Sequence, residues 1–338
     1  MTRRALTARK LIALAGAIAL IPTCLAACSS ANGGRSAATP PAAAVVPLPQ
    51  GVAYPSPSPT TGGAGTTIGG CNPFASSLRP VGAPPAPGHM PAGSTMAAIQ
   101  HNGQLVVGVD QNTYKFGYRD PATGQIVGFD IDIARAVANA IFGNRPNNIR
   151  FVAITSAQRI PYLQQHKVDL VADTMTVNCD RLKQVAFSTI YYNAGQSVLV
   201  RKDSTATGIA SLGGKKVCAA AGSTSIANIA AAPSKPTPVA VLDWTDCLVM
   251  LQQGQVDAIS TDDTILRGLA AQDPDTKLVG PNFTQEPYGL AMSLSAPDFV
   301  AFVNGVLQRL RSDGGWAAIY QKWLGAPVPV PPAAEYAN

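Results

Sequence analysis

The chain has 338 residues, with 25 Lys and Arg against 19 Asp and Glu, a formal charge of +6 and 46% hydrophobic residues. The charge does not describe a nucleic-acid surface: Arg3, Arg4, Arg9 and Lys10 open the chain, and no Lys/Arg block follows. Residues 1–27 hold those four basic residues and no acid, so the remainder carries 21 (25 − 4) basic groups against 19 acidic ones, or +2.

The basic start runs into the apolar stretch Leu11–Ile21, which reads as a secretion signal too short to span a bilayer. Leu25-Ala26-Ala27-Cys28 resembles the bacterial lipobox, whose cysteine is lipidated and becomes the first mature residue. That resemblance implies a signal peptide over 1–27 and a lipid anchor at Cys28 on the extracytoplasmic face of the cell membrane. An ordinary signal peptide with a stray cysteine is the alternative. Residues 28–95 are rich in Pro, Gly, Ala, Ser and Thr, and from position 29 only Arg35 and Arg79 carry charge. That composition predicts a flexible tether, pinned to the folded part from about Cys71.

The folded part begins as an α/β series. Leu105–Val109 is an apolar strand ending at Asp110, and Ile126–Phe129 is a short strand. Asp130 is expected to cap a helix whose Ile131, Ala134, Val137, Ala138 and Ile141 keep helical spacing to Gly143. Ile149–Ile154 is a strand, Ser156–Leu163 a short helix and Val168–Ala172 a strand. Beyond the turn Asp173–Thr176, Arg181 falls in the first turn of the next helix. A cation there is unfavourable by roughly 0.3–1 kcal/mol, yet an arginine beside hydroxyls and free N–H groups is what an anion site needs. A surface pair with Asp180 is the plain alternative.

Ser197–Val200 is a strand leading to a crossing at Arg201–Asp203. A second series then follows. Lys216–Ala219 precedes the turn Gly222–Ser225 and a helix, and Val239–Leu242 precedes a helix capped at Thr245. Val256–Ser260 ends at Thr261-Asp262-Asp263, and Lys277–Val279 is the last strand of the series. Tyr288–Leu294 returns to the first domain, and helices Pro297–Arg311 and Gly315–Leu324 close the chain.

The fold class is therefore α/β with two domains. The first spans 96–200 plus 288–326, the second 201–287, and 327–338 is a flexible tail. In such sheets ligands bind at the carboxyl ends of strands, where Asp110, Thr174, Ser223 and Asp262 fall.

Cys71, Cys179, Cys218 and Cys247 remain beyond the signal region; their spacing fits no metal motif. Three pairings are possible, and so are four buried thiols. The favoured pairing joins Cys218–Cys247 inside the second domain and leaves Cys71–Cys179 to tie the tether beside Arg181.

At this point the chain resembles the bacterial extracellular solute-binding proteins, family 3, the polar amino-acid class. The markers are LVVGVD (105–110), IVGFDIDIARAVA (126–138), ITSAQRIPYL (154–163), VDLVADTMTVNCDRLKQVAFS (168–188), GSTS (222–225), LQQGQVDAISTDD (251–263) and YQKWLG (320–325). With the lipobox and the cysteines it is similar to actinobacterial glutamine/glutamate/aspartate-binding lipoproteins. The resemblance implies a two-domain periplasmic-binding-protein-like (type II) fold with an inter-domain cleft and two crossover strands. It implies no cofactor, no metal and no catalysis.

It also implies roles for residues. Arg181 would clamp a ligand α-carboxylate with Thr176, Ser223, Thr224 and N–H groups of the 222–225 turn. Asp262 would hold the α-ammonium, with Asp173 and Thr174 beside it; an N-cap facing water is the plain alternative for Asp262. Asp110 would contact the ligand, and Tyr114 or Phe116 would supply an aromatic wall. Arg159 would meet a side-chain carboxylate with added potential from Lys115, or else pair with Asp169 or Asp173.

The expected protein is a monomer, anchored through Cys28, that binds glutamate or aspartate, possibly glutamine or asparagine. It would serve a membrane transporter permease or a sensor membrane protein. A glutamine-selective transport protein is the alternative; a dehydratase-like enzyme on the same fold is a further one.

Overall fold

The computed structural model describes residues 46–55 and 71–337. The signal region, the lipidation call at Cys28 and the rest of the tether lie outside the described residues.

Two five-stranded sheets organise the chain. The first runs Ile149–Ala153, Leu105–Val109, Leu170–Val171, Ala291–Met292, Ala186–Phe187; the second runs Thr237–Val241, Lys216–Ala220, Ala258–Asp262, Gln196–Arg201, Thr276–Val279. In each, the first three strands are parallel and the fourth runs antiparallel to both of its neighbours. A repeated Val-Asp pair pins the same corner of both. Asp169 Oδ2 accepts from Val106 N at 2.9 Å, and Asp257 Oδ2 accepts from Lys216 N at 2.8 Å.

Each lobe has its own core. In the first, helices Phe129–Phe142 and Pro297–Ser312 bury their apolar faces with Leu105, Val107, Tyr191 and Trp316. In the second, helices Trp244–Gln252 and Asp263–Gln272 cover a sheet that is apolar on both faces, as parallel strands between helices require.

Helix Phe129–Phe142 starts at Gly128, with φ +141°, where a Cβ would collide with the Phe116 carbonyl; only glycine fits. Asp130 is therefore not the cap. It lies inside the first turn, buried, and its carboxylate turns toward Thr174 and Tyr191.

The strand Gln196–Arg201 belongs to the second sheet, although the sequence placed 197–200 in the first domain. It is buried from Gln196 to Val200 between antiparallel neighbours on both sides. The crossing accordingly lies upstream, at Tyr192–Ala194, which pairs antiparallel with Glu286–Tyr288. These two short strands form the hinge.

Cys71 pairs with Cys179, and Cys218 with Cys247. Closing loops of these sequence separations, 108 and 29 residues, stabilises a fold by about 5 and about 4 kcal/mol on the chain-entropy model.

The described parts of the tether, 46–55 and 71–95, and the tail are more fixed than their composition suggested. Ser77 Oγ donates to Phe187 O, and Asn304 Nδ2 donates to Ser77 Oγ and Leu78 O. Ala53 exchanges both backbone hydrogen bonds with Ala240, at 2.9 and 2.8 Å, on the free edge of the second sheet. An exposed edge offers unpaired N–H and C=O groups, and this segment covers some of them. The tail is held where Ala337 N donates to Ser77 O and Arg311 Nε to Pro332 O.

Candidate functional site

A small pocket of about 10 Å³ lies between the lobes. The first lobe lines it with Arg159, Thr174, Thr176 and Arg181; the second with Ser223, Thr224, Ser225, Trp244, Thr261, Asp262 and Ile265. A larger cleft beside it shares Arg181, Ser223 and Thr224 and opens past Asn228 and Phe283. The charged groups converge on the smaller one.

Arg181 sits on a single turn, Cys179–Leu182, rather than at the head of a long helix. Its backbone N–H is taken by Asn178 Oδ1 at 2.9 Å, so the dipole argument does not carry this site. What fixes the guanidinium is the main chain around it. Nη1 donates to Thr176 O at 2.7 Å and Nη2 to Gly222 O at 3.1 Å, across the lobes. Burial, with Arg159 nearby, pulls its pKa down to about 9.

Arg159, equally buried, donates to Ser156 O and Asp173 O at 3.0 and 2.9 Å, and reaches the same Gly222 carbonyl at 3.5 Å. Its Nε lies 3.9 Å from Asp173 Oδ2. The cavity position and the pairing with Asp173 thus hold together. Asp169 serves the strand corner instead.

Asp262 ends its strand on the opposite lobe. Tyr288 Oη donates to Oδ2 at 2.6 Å, while Oδ1 is buried with no hydrogen-bond partner among the described residues. Burial, then the charge of Glu286, pushes this carboxyl well above the usual range. A buried acceptor without a donor is costly, about 1–3 kcal/mol or more for a charged group, so the position favours a cationic donor.

Thr174 lines the cavity at φ +40°, a strained conformation for a β-branched residue. Asp130 holds it there, accepting from Thr174 N at 2.7 Å and from Tyr191 Oη at 2.7 Å. Burial lifts Asp130 to about 6.

Several expected site residues are placed elsewhere. Asp110 turns onto its own loop, accepting from Asn112 N at 2.6 Å and Thr113 Oγ1 at 2.8 Å. Asp173 stands behind Arg159 as its counter-charge, not on the cavity wall. Lys115 is exposed, its ammonium 6.0 Å from the Tyr114 ring. Tyr114 packs edge-on to Tyr118 and against Gly268 of the second lobe, and Phe116 is in the first core. The aromatic wall is Trp244, because its helix begins one residue after Asp243 and so places the indole at the cleft. Ser223 lines the cavity while its hydroxyl caps the helix Thr224–Ala231.

Beyond Trp244, Ser225, Thr261 and Ile265 on the wall, the sequence reading also left out Glu286 and Tyr288 behind it. Glu286 and Tyr288 alternate on the hinge strand, so both side chains face the same way into the cleft. The alternation in Glu286-Pro287-Tyr288 was the available signal. Glu286 Oε2 accepts from Thr176 and Thr224, and Oε1 from Thr284 and Asn228. The dehydratase-like reading needs an acid in the cleft; this one has both oxygens engaged by four donors.

Two lobes of one topology, joined by a paired hinge around a small charged cavity, define a two-domain type II periplasmic-binding-protein fold. Residues 105–326 match the bacterial extracellular solute-binding proteins, family 3, and the chain belongs to that family. It is 39% identical over 231 residues to the ABC transporter glutamine-binding protein GlnH of Bacillus subtilis, covering 68% of this chain and 84% of that one. It is 30% identical over 248 residues to the glutamate/aspartate import solute-binding protein of Escherichia coli, covering 70% and 82%. Among solved structures, an ancestral arginine-binding protein bound to glutamine is 34% identical with a TM-score of 0.61, covering 66% of this chain and 99% of the other.

Proposed function

We propose that this protein binds an acidic amino acid, glutamate or aspartate, by closing its two lobes around it. The carrying observation is the charge on the cavity wall: two guanidiniums, Arg159 and Arg181, against one carboxylate, Asp262. A free acidic amino acid is the complement, with two carboxylates and one ammonium. Arg181 and the backbone N–H groups at Thr176 and at the start of helix Thr224–Ala231 would take the α-carboxylate, Arg159 the side-chain carboxylate, and Asp262 Oδ1 the ammonium. Burying such a ligand demands an opposite partner for each charge.

A glutamine-selective site is the second reading, favoured by the relative named for glutamine. A neutral amide would offer Arg159 no carboxylate on its cavity side, leaving only Asp173 behind it, a loss of about 2 kcal/mol or roughly 30-fold in affinity. The protein would work outside the cytoplasm as a monomer, anchored through Cys28, and hand its ligand to an ABC-transporter permease or present it to a membrane sensor.

Calorimetry with glutamate, aspartate, glutamine and asparagine tests the reading. Tighter binding of either acid than of its amide is expected. Tighter glutamine binding would transfer the assignment to the second reading, and no binding by any of the four would overturn both.

A further inference from the structure

The hinge carboxylate of Glu286 is fully buried, at 0% exposure, and is bonded from both lobes. On Oε2 it accepts from Thr176 Oγ1 of the first lobe at 2.7 Å and from Thr224 Oγ1 of the second at 2.9 Å. On Oε1 it accepts from Thr284 Oγ1 at 2.8 Å and from Asn228 Nδ2, also of the second lobe, at 3.2 Å.

The backbone decides which lobe Glu286 travels with. Val177 N donates to Pro287 O at 2.8 Å, and Thr176 bridges Tyr288, so this end of the hinge is fastened to the first lobe. Thr224 and Asn228 lie one turn apart on a single face of helix Thr224–Ala231. A cleft opening that carried this helix away from the hinge would break both of its bonds to Glu286. The carboxylate then exchanges them for water, which an opened cleft supplies.

We propose that Glu286 is a closure latch, a positioning residue that ties helix Thr224–Ala231 to the hinge and so sets the open–closed balance and the residence time of the ligand. It rests on the amino-acid-binding reading. The latch differs from a ligand contact because its partners are all protein groups. Two of them, Thr176 and Thr224, also line the ligand cavity, so closure and ligand capture use the same wall. Hydrogen bonds to a charged acceptor shift an equilibrium by about tenfold or more.

The test uses the purified full chain and two variants, Glu286→Gln and Asn228→Ala. Asn228→Ala leaves all charges in place. Glutamate dissociation is followed by stopped-flow fluorescence, with Trp244 in the cavity wall as the reporter, and small-angle scattering gives the ligand-free radius of gyration. Each variant should release glutamate about tenfold faster with an association rate within about twofold of wild type. Each should also be more open without ligand. Unchanged dissociation in both variants overturns the latch. Slower dissociation in Glu286→Gln overturns it too, since Glu286 would then only oppose the ligand's charge. Circular dichroism separates these results from misfolding, and Asn228→Ala carries the test where Glu286→Gln fails to fold. Should the wild type bind none of the four amino acids, the binding reading fails by itself. The ligand-free radius of the variants then decides the latch: an increase supports it and no change refutes it.

Discussion

The two lobes share a strand order and a Val-Asp corner, yet they contribute opposite chemistry. Five residues beyond Asp169 in the first lobe stands Thr174, and five beyond Asp257 in the second stands Asp262. Thr174 is strained, at φ +40°, and presents no charge; Asp262 is relaxed, at φ −61°, and presents a carboxylate directly from its strand end. The first lobe obtains its charge from short helical segments, through Arg159 and Arg181, and buttresses its strand end with Asp130. Equal scaffolds therefore do not make equal halves of a site. A cation-bearing half and an anion-bearing half can each stay open to water, and they neutralise one another only through a zwitterion or by closing.

That division is broken most severely by removing its principal cation. Arg181→Ala should abolish measurable binding of all four amino acids, a loss of about 3–5 kcal/mol or several hundredfold and more. Asp262→Asn should weaken all four as well, because every one carries the ammonium, and should leave thermal stability unchanged or raised, since a buried carboxylate is neutralised. Calorimetry with thermal unfolding checks both. Retained binding in Asp262→Asn would mean that the second lobe does not supply the ammonium partner.

Gly222 brings the second lobe's backbone close against the first. Its φ is +76°, and a Cβ there would lie 2.7 Å from Ala157 Cα across the cleft. Gly222→Val should thus oppose closure through both strain and contact, weakening glutamate by about 30-fold or roughly 2 kcal/mol. Arg159→Ala sharpens the comparison within the first lobe. It should cost glutamate about tenfold more than it costs glutamine, read as the ratio of dissociation constants. Equal losses would remove Arg159 from side-chain recognition and leave it as the partner of Asp173.

Much of this was legible in the sequence, and the failures share a cause. Parallel strands between helices announce themselves through apolar runs and caps, so Asp262 could be read from a strand end, whereas Arg181 was singled out by the hydroxyl-rich turn and the helix start after its strand. Gln196–Arg201 could not be assigned to a lobe, because its antiparallel partners lie far along the chain and leave no local period. Glu286 and Tyr288 sit on a three-residue strand containing a proline, too short for alternation to stand out. Asp110 follows a strand end, as a ligand contact should, but its two oxygens are satisfied within three residues, and a strand-end rule does not see that competition. The tether shows the converse. Its composition describes a chain without a core of its own, and Ala53 and Ser77 of its described residues dock onto the lobes.

The smallest expected effect concerns the strained half of the comparison. Asp130 is an ordinary carboxyl at 3.8 when unfolded and is lifted to about 6 by burial in the fold. A raised carboxyl binds its proton more tightly in the folded state. Its stabilisation is complete below 3.8 and is lost as pH rises through about 6. Between pH 5 and pH 7 this removes about 1 kcal/mol, or about 2–4 °C in Tm for a protein of this size. Burial lifts Asp110, Asp173 and Asp262 in the same direction, so the wild-type curve should fall with rising pH by more than Asp130 alone contributes. Asp130→Asn should flatten the curve by that share while changing glutamate affinity by about threefold at most, because Asp130 supports Thr174 from behind and does not line the cavity. Thermal scans of both proteins from pH 4.5 to 7.5 measure it. Parallel curves would show that Asp130 stays ionised throughout, and the strain at Thr174 would then be held by a charged buttress.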